Sequence, residues 1–374
     1  MNRHPWIFSG AVQALPKLAD GEMIEILSAT NEVLGKAFYN NGSILARIFS
    51  FGNEQIDEAF WEKKLQNAFL LRKHLGLTDN TQTNVYRLVH GEGDGIPGLI
   101  IDIFNQSAVI QCHNHGVYRL RNLFAETLKK LYGQRLQVIY DKSSDTMPSK
   151  EVFQNSFLLG NEGVTEVVEY GNRFSIDFIE GQKTGFFIDQ RENRELLKKY
   201  SKDKNVLNTF CYSGGFSVYA LQGEAKLVHS VDSSKKAIQL TDSNVLLNGD
   251  ASRHESFAVD AFDFLKKMGN QYDVIVLDPP AFAKHQSAIK NACMGYQRIN
   301  QQAIENIKSG GILFTFSCSQ AIDKDLFRKV VFAAAAKTGR SVRILQQLSQ
   351  PADHPINIYH PEGEYLKGLL LFIE

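Results

Sequence analysis

The sequence predicts an α/β protein in which a C-terminal Rossmann-like domain follows two smaller modules. From Glu166 onward, short apolar runs alternate with stretches of helical length, the pattern of a mostly parallel sheet flanked by helices. Earlier segments show period-two alternation broken by Gly and Asn turns, which is typical of strands in small β-rich modules. We therefore expect a small β-rich domain over 1–56, a central α+β domain over 57–165 and the Rossmann-like domain over 166–374.

The two N-terminal modules are predicted from alternation and amphipathicity. In the first module, residues 22–27 and 44–49 place an apolar side chain at every second position. The central module begins with a helix over 57–74, which carries apolar residues on one side and lysines and an arginine on the other. Its other predicted elements are strands over 85–89, 99–104, 108–112 and 136–140 and a basic amphipathic helix over 117–131.

The C-terminal domain is predicted to contain a seven-stranded, mostly parallel sheet. In sheets of this kind ligands bind at the carboxyl ends of the strands, so the residues that follow each strand are the candidates for function. The predicted strands are 206–210, 227–231, 257–259, 274–277, 311–316, 342–345 and 369–373, and the predicted helices are 214–221, 235–247, 262–267, 299–307 and 326–337.

Charge balance limits the kinds of partner that the chain can have. Its 374 residues include 41 Lys and Arg and 41 Asp and Glu, so the formal net charge is zero. This balance excludes a histone-like polycation that is held to nucleic acid by bulk charge. Contact with nucleic acid would need segregated basic faces and a base pocket, and its salt dependence would be modest. The candidate faces are Lys63, Lys64, Arg72 and Lys73; Arg119, Arg121, Lys129 and Lys130; and Arg191, Arg194, Lys198 and Lys199.

The four cysteines lack the spacing of a zinc or redox site, because no pair forms a C-x-x-C motif. We interpret them as reduced thiols of a soluble, cytoplasmic protein. The N-terminus lacks the apolar core of a signal peptide, and no apolar run approaches the ~20 residues that span a bilayer. No metal site is predicted, since His354 and His360 have no compact set of ligands beside them in the sequence.

Residues that follow the first three strands of the C-terminal domain suggest a site for an adenosine-containing ligand. Small residues after the first strand let the backbone approach a ligand closely, although the spacing is neither G-x-G-x-x-G nor a Walker loop. Asp232 and Asp260 end the next two strands, where carboxylates can accept hydrogen bonds from ribose hydroxyls or an adenine amino group. Each acid alone is equally compatible with a helix cap, and the Gly-Gly turn alone with an ordinary turn.

The fourth strand ends in Asp278-Pro279-Pro280-Ala281-Phe282. Two consecutive prolines fix two φ angles and remove two amide donors, so a carboxylate and carbonyls are held at the sheet edge in a rigid segment. Such a segment is suited to accept hydrogen bonds from the amino group of a flat base. A plain stiff turn is the alternative interpretation.

At this point the sequence resembles the class I S-adenosylmethionine-dependent methyltransferases, whose amino-acceptor motif is similar to Asp-Pro-Pro-Ala-Phe. The run from Gly181 to Arg191 resembles the segment before the sheet in RlmI-type enzymes, which methylate carbon 5 of a cytosine in 23S ribosomal RNA. Residues 3–11 are similar to the N-terminal PUA module of that family, and 91–99 to its central module, so the resemblance covers nearly the whole chain. The family has more residues before the His-Pro-Trp run, which leaves the completeness of the PUA-like domain open.

This resemblance implies S-adenosyl-L-methionine as the cofactor and the large-subunit 23S ribosomal RNA as the partner, with no membrane and with a homodimer as one possible assembly. It also makes the segment around Lys183 a wall of the cofactor pocket. The expected cofactor-binding residues are Lys183, Thr184, Phe187, Phe210, Cys211, Tyr212, Ser213, Gly214, Asp232, Ser233, Asp260, Ala261, Phe262 and Asp278. The expected substrate-binding residues are Pro279, Pro280 and Phe282.

Cys318 lies in Ser317-Cys318-Ser319, at the end of a late strand of the same sheet. Seen alone, such a cysteine is most often a small buried hydrophobe. Carbon 5 of cytosine, however, becomes nucleophilic only after a thiolate adds to carbon 6. Similar enzymes use the cysteine of this motif, so the resemblance assigns the nucleophile to Cys318, with Asp278 as the second catalytic residue that pairs with the base. Cys211 is expected to be a backbone contact in the cofactor loop.

Two other functions stay open on the sequence alone. An enzyme that methylates an exocyclic or ring nitrogen of an RNA base would use Asp-Pro-Pro-Ala-Phe without a thiolate. A non-catalytic RNA-binding or ribosome-assembly protein would keep the fold but not the chemistry. The cytosine that is modified and the state of the RNA substrate cannot be read from the residues.

Overall fold

The computed structural model describes residues 3–13, 17–147, 153–249, 251–283 and 285–374. It divides into two compact units, each of which is described by itself. The first unit comprises Met1–Gly171, Ile176–Ile188 and Ala352–Gly363, and the second comprises Asn172–Ser175, Asp189–Pro351 and Glu364–Glu374.

The first unit contains the N-terminal and central sheets. Its strands are β1 (Trp6–Phe8), β2 (Met23–Leu27), β3 (Val33–Tyr39), β4 (Ile44–Ser50), β5 (Val85–His90), β6 (Leu99–Phe104), β7 (Ser107–Cys112), β8 (Val138–Asp141), β9 (Ser156–Leu159) and β10 (Val164–Glu169). Its helices are α1 (Glu58–His74), α2 (His115–Arg119) and α3 (Arg121–Tyr132). β10 pairs with β11 (Asn172–Asp177), within which the division between the units falls.

Both sheets of the first unit match the predicted classes. The N-terminal sheet is antiparallel in the order β1-β4-β3-β2, and the central sheet has the order β5-β6-β7-β8-β9. Trp61 and Leu65 of α1 are buried in one apolar core with Phe124 and Leu128 of α3, so these two helices cover the central sheet. A β-rich N-terminal part and a central α+β part are therefore confirmed.

The helix predicted over 117–131 is instead two helices that meet at Leu120. The Asn114 side chain caps α2 by accepting a hydrogen bond from the Val117 N–H at 2.9 Å. The Arg121 guanidinium then donates to the Tyr118 carbonyl at 3.1 Å, in the last turn before the break. Apolar periodicity continues across the break, and for that reason the sequence did not reveal it.

The second unit is the Rossmann-like domain. Its strands are β12 (Asn205–Thr209), β13 (Leu227–Asp232), β14 (His254–Ala258), β15 (Val274–Leu277), β16 (Gly311–Ser317), β17 (Val342–Leu348) and β18 (Lys367–Ile373). Its helices are α4 (Arg191–Lys199), α5 (Gly215–Gln222), α6 (Lys235–Leu247), α7 (Ala261–Lys267), α8 (Ile289–Asn306) and α9 (Lys324–Thr338).

The sheet of the second unit has seven strands in the order β14-β13-β12-β15-β16-β18-β17. The five strands from β14 to β16 are parallel, and β18 runs antiparallel between β16 and β17. The predicted seven-stranded, mostly parallel sheet is thus confirmed. Because parallel strands end at one edge, the segments after β12, β13, β14, β15 and β16 all begin on the same side of this domain.

Helix α8 begins at Ile289, ten residues before the predicted start at residue 299. Ala292 and Tyr296 continue its buried face toward the N-terminus at a spacing of four residues. A run of polar and small residues around Gly295 masks this face in the sequence.

The fold makes a testable prediction about a buried ion pair in the first unit. The Arg72 side chain is fully buried, and its Nη2 donates to Asp94 Oδ2 at 2.8 Å and to the Asp353 carbonyl at 2.7 Å. Arg72→Met leaves Asp94 as a buried charge without its cation, so we expect the free energy of unfolding to fall by about 3–5 kcal/mol. Urea unfolding followed by tryptophan fluorescence reports on this unit, because both tryptophans, Trp6 and Trp61, belong to it.

The neighbouring Lys73 is exposed and supplies the control. Lys73→Met also removes one positive charge but should change the free energy of unfolding by less than about 0.5 kcal/mol. Equal effects of the two substitutions would contradict the assignment of Arg72 as a buried partner.

Candidate functional site

The loop that follows β12 has a strained backbone. Phe210 and Tyr212 have φ values of 56° and 48°, which non-glycine residues rarely adopt, and Gly214 has a φ of 73°. A Cβ added to Gly214 would lie 2.8 Å from the Thr241 methyl carbon, so only glycine fits there. These three left-handed residues turn the chain sharply between β12 and the first residue of α5. Such conformations persist only where surrounding contacts fix them.

The contacts that fix this loop come from β13 and α6. Asp232 Oδ2 accepts a hydrogen bond from the Tyr212 N–H at 3.2 Å. The Thr241 hydroxyl lies 3.2 Å from the Tyr212 carbonyl, to which it can donate, and Asn244 Nδ2 donates to the Ser213 carbonyl at 2.9 Å. Thr241 and Asn244 were not identified from the sequence, since polar residues within an amphipathic helix give no sign of the loop that they hold.

Cys211 and Asp232 are both engaged within this network. Burial raises the pKa of the Cys211 thiol to about 12, so the group stays protonated near neutral pH. Asp232 Oδ1 also accepts a hydrogen bond from the N–H of Ser234, the residue after Ser233, at 2.9 Å. Each carboxylate oxygen has a further lone pair, so Asp232 keeps the capacity to accept hydrogen bonds from a ligand.

Asp260 is the N-cap of α7. Its Oδ1 accepts hydrogen bonds from the N–H groups of Phe262 and Asp263 at 2.9 and 3.1 Å. Asp260 is thus a helix cap, as the alternative interpretation predicted, and both capping hydrogen bonds use Oδ1. Ala261 is buried and Phe262 is half-buried, and the Phe262 ring centroid lies 6.2 Å from that of Phe282 after β15. The structure thus brings the segments that follow β14 and β15 together.

Asp278 follows β15 directly and is held by a chain of amide side chains. Gln190 Nε2 donates to Asp278 Oδ1 at 3.0 Å, and Gln190 Oε1 accepts from Asn193 Nδ2 at 2.6 Å. Asp278 is half-buried, Pro279 is buried and Pro280 is exposed. Neither amide residue was identified as a site residue from the sequence, although Gln190 lies within the run from Gly181 to Arg191 that carries the family resemblance.

Cys318 follows β16 and meets the segment after β15. Its sulfur lies 3.9 Å from the carbonyl oxygen of Pro279, the residue next to Asp278, and its side chain is half-buried. β15 and β16 are adjacent parallel strands with Leu277 opposite Thr315, which places the two segments side by side. A thiol and a carboxylate on neighbouring strand ends can act together on one small planar group.

Lys367 lies beside the residue that follows Cys318. Its Nζ donates to the backbone carbonyls of Ser319 and Tyr365, both at 2.7 Å, and the residue is 3% exposed. Burial lowers the pKa of Lys367 to about 8, while negative charge at Cys318 acts to raise it. In the sequence, the signal for this position is a lysine at the start of an otherwise apolar strand.

The other predicted cofactor-binding residues belong to the first unit. The Thr184 hydroxyl is buried and donates to Asp102 Oδ2 at 2.7 Å. Lys183 has a φ of 51°, and its Nζ lies 4.5 Å from the centroid of the Phe187 ring. Within their own unit, Lys183 and Phe187 are thus in contact with each other and Thr184 supports the central sheet. Their role toward a cofactor stays a prediction.

The predicted basic faces are in part wrong. Arg72, Arg191 and Arg194 are buried, with exposures of 0%, 2% and 3%, and cannot present charge to a partner. The Lys64 ammonium donates to the Gly95 carbonyl at 2.9 Å, and burial lowers its pKa. Long cationic side chains on an amphipathic helix can fold inward onto carbonyls and acids, which a linear pattern does not show. The residues of these faces that are exposed are Lys63, Lys73, Arg119, Lys130 and Lys199.

Within the described ranges, three potential metal ligands come together in the first unit. His4 Nε2 and His360 Nδ1 each lie 3.1 Å from Glu362 Oε2. The sequence did not reveal this set because His4 is more than three hundred residues from the other two. The Trp6 N–H donates to His4 Nδ1, which leaves the Nε2–H of His4 to donate to the carboxylate. Hydrogen bonding thus accounts for the position of His4 beside Glu362, and we assign no metal to these three residues. Among the described helices, none is both long and apolar enough to cross a lipid bilayer.

Comparison with known families matches both ends of the chain. The S-adenosylmethionine-dependent methyltransferase family matches residues 155–371, and a PUA-like domain family matches residues 1–51. The first match includes every strand of the seven-stranded sheet apart from the last two residues of β18.

Two curated relatives are similar over nearly their full length. A ribosomal RNA large subunit methyltransferase I from Klebsiella pneumoniae strain 342 is 40% identical over 379 aligned positions, which cover 98% of this chain and 94% of that protein. The protein of the same name from Escherichia coli O139:H28 is 39% identical and covers 98% and 95%.

Solved structures with lower identity share the fold. A methyltransferase structure solved as a complex with SAH has a TM-score of 0.87 at 23% identity and covers 99% of this chain and 96% of its own. A SAM-dependent methyltransferase structure from Streptococcus mutans has a TM-score of 0.85 at 23% identity, with coverage of 98% and 95%.

Thiol reactivity tests the arrangement of the four cysteines. Cys112 and Cys211 are buried, and burial raises the pKa of each thiol to about 12. At pH 8 such thiols are ionised ~10³-fold less than a free cysteine, so we expect iodoacetamide to label them only after unfolding. The half-buried Cys318 and Cys293 should be labelled in the native protein. Peptide-resolved mass spectrometry measures each rate, and labelling of Cys211 as fast as that of Cys318 would contradict the described loop.

Proposed function

This chain belongs to the S-adenosylmethionine-dependent methyltransferase family, and from that membership we propose that it methylates carbon 5 of a cytosine in 23S ribosomal RNA. S-adenosylmethionine is the methyl donor of the family. The RNA substrate is proposed from the curated relatives, which are named as methyltransferases of the large-subunit ribosomal RNA. The proposed ribosomal RNA substrate also supports the expected cytoplasmic location.

The observation that carries the choice of carbon 5 is the position of Cys318 next to the Asp278 segment. Its sulfur is 3.9 Å from the Pro279 carbonyl, so a cytosine bound at Asp278 would present its ring to a thiol. Methylation of a base nitrogen needs no such thiol, because the nitrogen lone pair is already nucleophilic. Methylation of carbon 5 does need it.

In the proposed reaction the Cys318 thiolate adds to carbon 6 of the cytosine, and the electron pair of the 5,6 double bond moves toward carbon 5. S-adenosylmethionine supplies the electrophilic methyl group when bound. Carbon 5 forms the new bond to this methyl group, and the departing sulfur keeps the electrons of the bond that breaks. The carbon 5 proton is then lost to solvent, and the electron pair of its bond re-forms the 5,6 double bond. The bond between carbon 6 and sulfur breaks with its electrons on sulfur, so the Cys318 thiolate is unchanged after one turnover.

Asp278 is proposed to hold the base. Its carboxylate is aimed by Gln190, which donates to Oδ1 and is itself held by Asn193. A carboxylate next to the base can accept from its exocyclic amino group, and in protonated form it can donate to the ring nitrogen, which eases addition of the thiolate. Pro279, Pro280 and Phe282 would form the rigid surface against which the base lies.

The cofactor is proposed to bind along the carboxyl edge of β12, β13, β14 and β15. The strained loop fits this role because the small Gly214 and the left-handed residues beside it let the backbone approach a ligand closely. Asp232 would accept from ribose hydroxyls, and the Asp260 segment would contact adenine. The residues proposed to contact the cofactor are Phe210, Cys211, Tyr212, Ser213, Gly214, Asp232, Ser233, Asp260, Ala261, Phe262 and Asp278, with Lys183, Thr184 and Phe187 from the family resemblance.

The N-terminal module is proposed to bind RNA. The support for this role is that residues 1–51 match a PUA-like domain family. We propose the domain bounds 1–56, 57–165 and 166–374, with RNA contact in the first domain and methyl transfer in the last.

Substitution of Cys318 tests the choice of atom. We expect Cys318→Ala to reduce methyl transfer to unmodified 23S ribosomal RNA by ~10³-fold or more, since the proposed reaction takes the electron pair for carbon 6 from this thiolate. Its affinity for S-adenosylmethionine, measured by calorimetry, should stay within about twofold of the wild type. Mass mapping of the labelled nucleotide identifies the atom and the position.

Cys293→Ala supplies the matched control for this experiment. Cys293 is another half-buried thiol of the same unit, in α8, and its loss should leave methyl transfer unchanged. Full transfer to a base nitrogen by Cys318→Ala would show that the N-methyltransferase alternative is correct.

Substitution of Gly214 tests the cofactor loop. In Gly214→Ala the added carbon would meet Thr241 at 2.8 Å at a φ of 73°, so the loop must shift. We expect the Kd for S-adenosylmethionine to rise by about tenfold or more, which corresponds to ~1–2 kcal/mol of strain and lost contact. Calorimetric titration measures this change.

Gly269→Ala is the control for backbone strain alone. Gly269 has a φ of 63°, but a Cβ there would meet no atom within 4 Å. It should lower stability slightly and leave the Kd unchanged. If Gly214→Ala bound S-adenosylmethionine as tightly as Gly269→Ala, the loop would not be part of the cofactor site.

A further inference from the structure

We infer that the Lys367 ammonium, held beside Cys318 by two backbone carbonyls, is a positioning residue that stabilises the Cys318 thiolate. The inference rests on the proposed function, in which Cys318 is the nucleophile. It adds a residue that the family resemblance did not assign and explains how a thiol could be nucleophilic at neutral pH.

The sheet register places Lys367 next to the nucleophile. β18 runs antiparallel to β16, and Lys367 lies opposite Ser317, the residue before Cys318. Its Nζ donates to the Ser319 carbonyl at 2.7 Å, on the other side of Cys318 in the chain. Lys367 is thus fixed to the residues that flank Cys318 on both sides.

A second hydrogen bond removes the freedom of the lysine side chain. Nζ also donates to the Tyr365 carbonyl at 2.7 Å, so two carbonyl oxygens hold the ammonium group in place. The Ser319 side chain is fixed as well, since its Oγ accepts from the Ala283 N–H at 3.2 Å and lies 3.0 Å from the Tyr296 hydroxyl. Contacts with both the backbone and the side chain of Ser319 therefore hold the segment after β16 in place.

The charge of Lys367 has no close carboxylate partner in the described part of the chain. Lys367 is 3% exposed, and none of the described acids lies within 4.0 Å of its Nζ. A buried ammonium that is held only by neutral carbonyls pays a desolvation cost that a neutral side chain would avoid. A thiolate at Cys318 is the negative charge that would offset this cost.

Two carboxylates near Lys367 also raise its pKa, but each has a smaller effect than negative charge at Cys318. Negative charge at Cys318 has the largest raising effect on the pKa of Lys367, followed by Asp323, the N-cap of α9, and Glu364, which pairs with Lys324. The Tyr296 phenol is kept neutral, because burial raises its pKa. Attraction between two charges is reciprocal. Since the Cys318 thiolate favours the ammonium form of Lys367, that ammonium favours the thiolate form of Cys318.

The proton balance of this step is simple. Cys318 loses its thiol proton to solvent before addition, and Lys367 keeps its three protons throughout. When the carbon–sulfur bond breaks at the end of the cycle, the thiolate returns to the same ammonium. Lys367 thus acts on both the addition and the release without contact with the base.

The test measures the ionisation of Cys318 without requiring activity. Lys367→Met and Lys367→Gln remove the charge, Lys367→Arg keeps it, and Gln keeps an N–H donor for the carbonyls. In a Cys293→Ser background, the rate of iodoacetamide labelling at Cys318 is followed from pH 5 to 10 by peptide-resolved mass spectrometry. We expect the midpoint to rise by about one pH unit or more in the Met and Gln variants and to stay near the wild type in Arg.

Lys202→Met is the matched control, since Lys202 is an exposed lysine of the same unit that pairs with Glu224. It should leave the midpoint unchanged. In methyl transfer, Lys367→Gln should lower kcat at pH 7 by about tenfold, with KM for RNA little changed, and should recover part of the loss at pH 9. A purely structural role would lower stability without shifting either pH profile.

The two levels of the proposal can fail separately. If Lys367→Gln is folded by circular dichroism and its labelling midpoint equals that of the wild type, the inference about Lys367 is wrong whatever Cys318 does. If the midpoint shifts as expected but Cys318→Ala still methylates carbon 5, Lys367 tunes the thiol and the proposed nucleophile is wrong. If Lys367→Met fails to fold, the Gln and Arg variants give the answer.

Discussion

The contact between the Cys318 sulfur and the Pro279 backbone depends on the adjacency of β15 and β16. Two parallel neighbours in a sheet must end at the same edge, so the segments that follow them begin a few ångströms apart. Here one segment is made rigid by two prolines and carries Asp278, and the other carries a half-buried thiol. The antiparallel β18 completes the arrangement, because its reversed direction brings Lys367 to the same end of β16. Asp278, Cys318 and Lys367 thus lie at one end of three neighbouring strands, and no long loop is needed to position them.

Several charged side chains of this protein are buried. The equal numbers of acidic and basic residues at first indicated that nucleic-acid binding would need segregated basic faces. Several of the arginines expected on those faces are buried instead, among them Arg72 with Asp94. The neutral balance therefore reflects paired and buried charge as well as surface charge. In the proposed function, recognition of RNA depends on shape, a base pocket and a small number of exposed lysines.

Much of the fold could be predicted from the sequence because its signals are local. The apolar run Val274–Leu277 and the alternation of strands and helices after Glu166 define the parallel sheet without reference to any distant residue. The helix over 117–131 was predicted as one piece because apolar periodicity does not register a single non-helical residue at Leu120. The strand-end residues Asp232, Asp260 and Asp278 were predicted as candidates because the rule that ligands bind at strand ends needs only the order of elements. The role predicted for Cys318 came from the family resemblance.

Other parts of the candidate site depend on contacts between residues far apart in sequence. Gln190 and Asp278 are separated by 88 residues, and Lys367 and Ser319 by 48, so neither hydrogen bond has a local signature. Thr241 and Asn244 hold the loop after β12 from a helix in which they resemble ordinary polar positions. Such supporting residues become visible only when the sheet order is known.

The most direct test of the central claim is to trap the bond between Cys318 and the base. RNA that carries 5-fluorocytidine at the target position lacks the carbon 5 proton that must leave before the cysteine is released. With S-adenosylmethionine present, the wild-type protein should form a stable protein–RNA adduct, and mass spectrometry of the digested adduct should place it on Cys318. Formation of the methylated product without any adduct, or an adduct on another residue, would contradict the account.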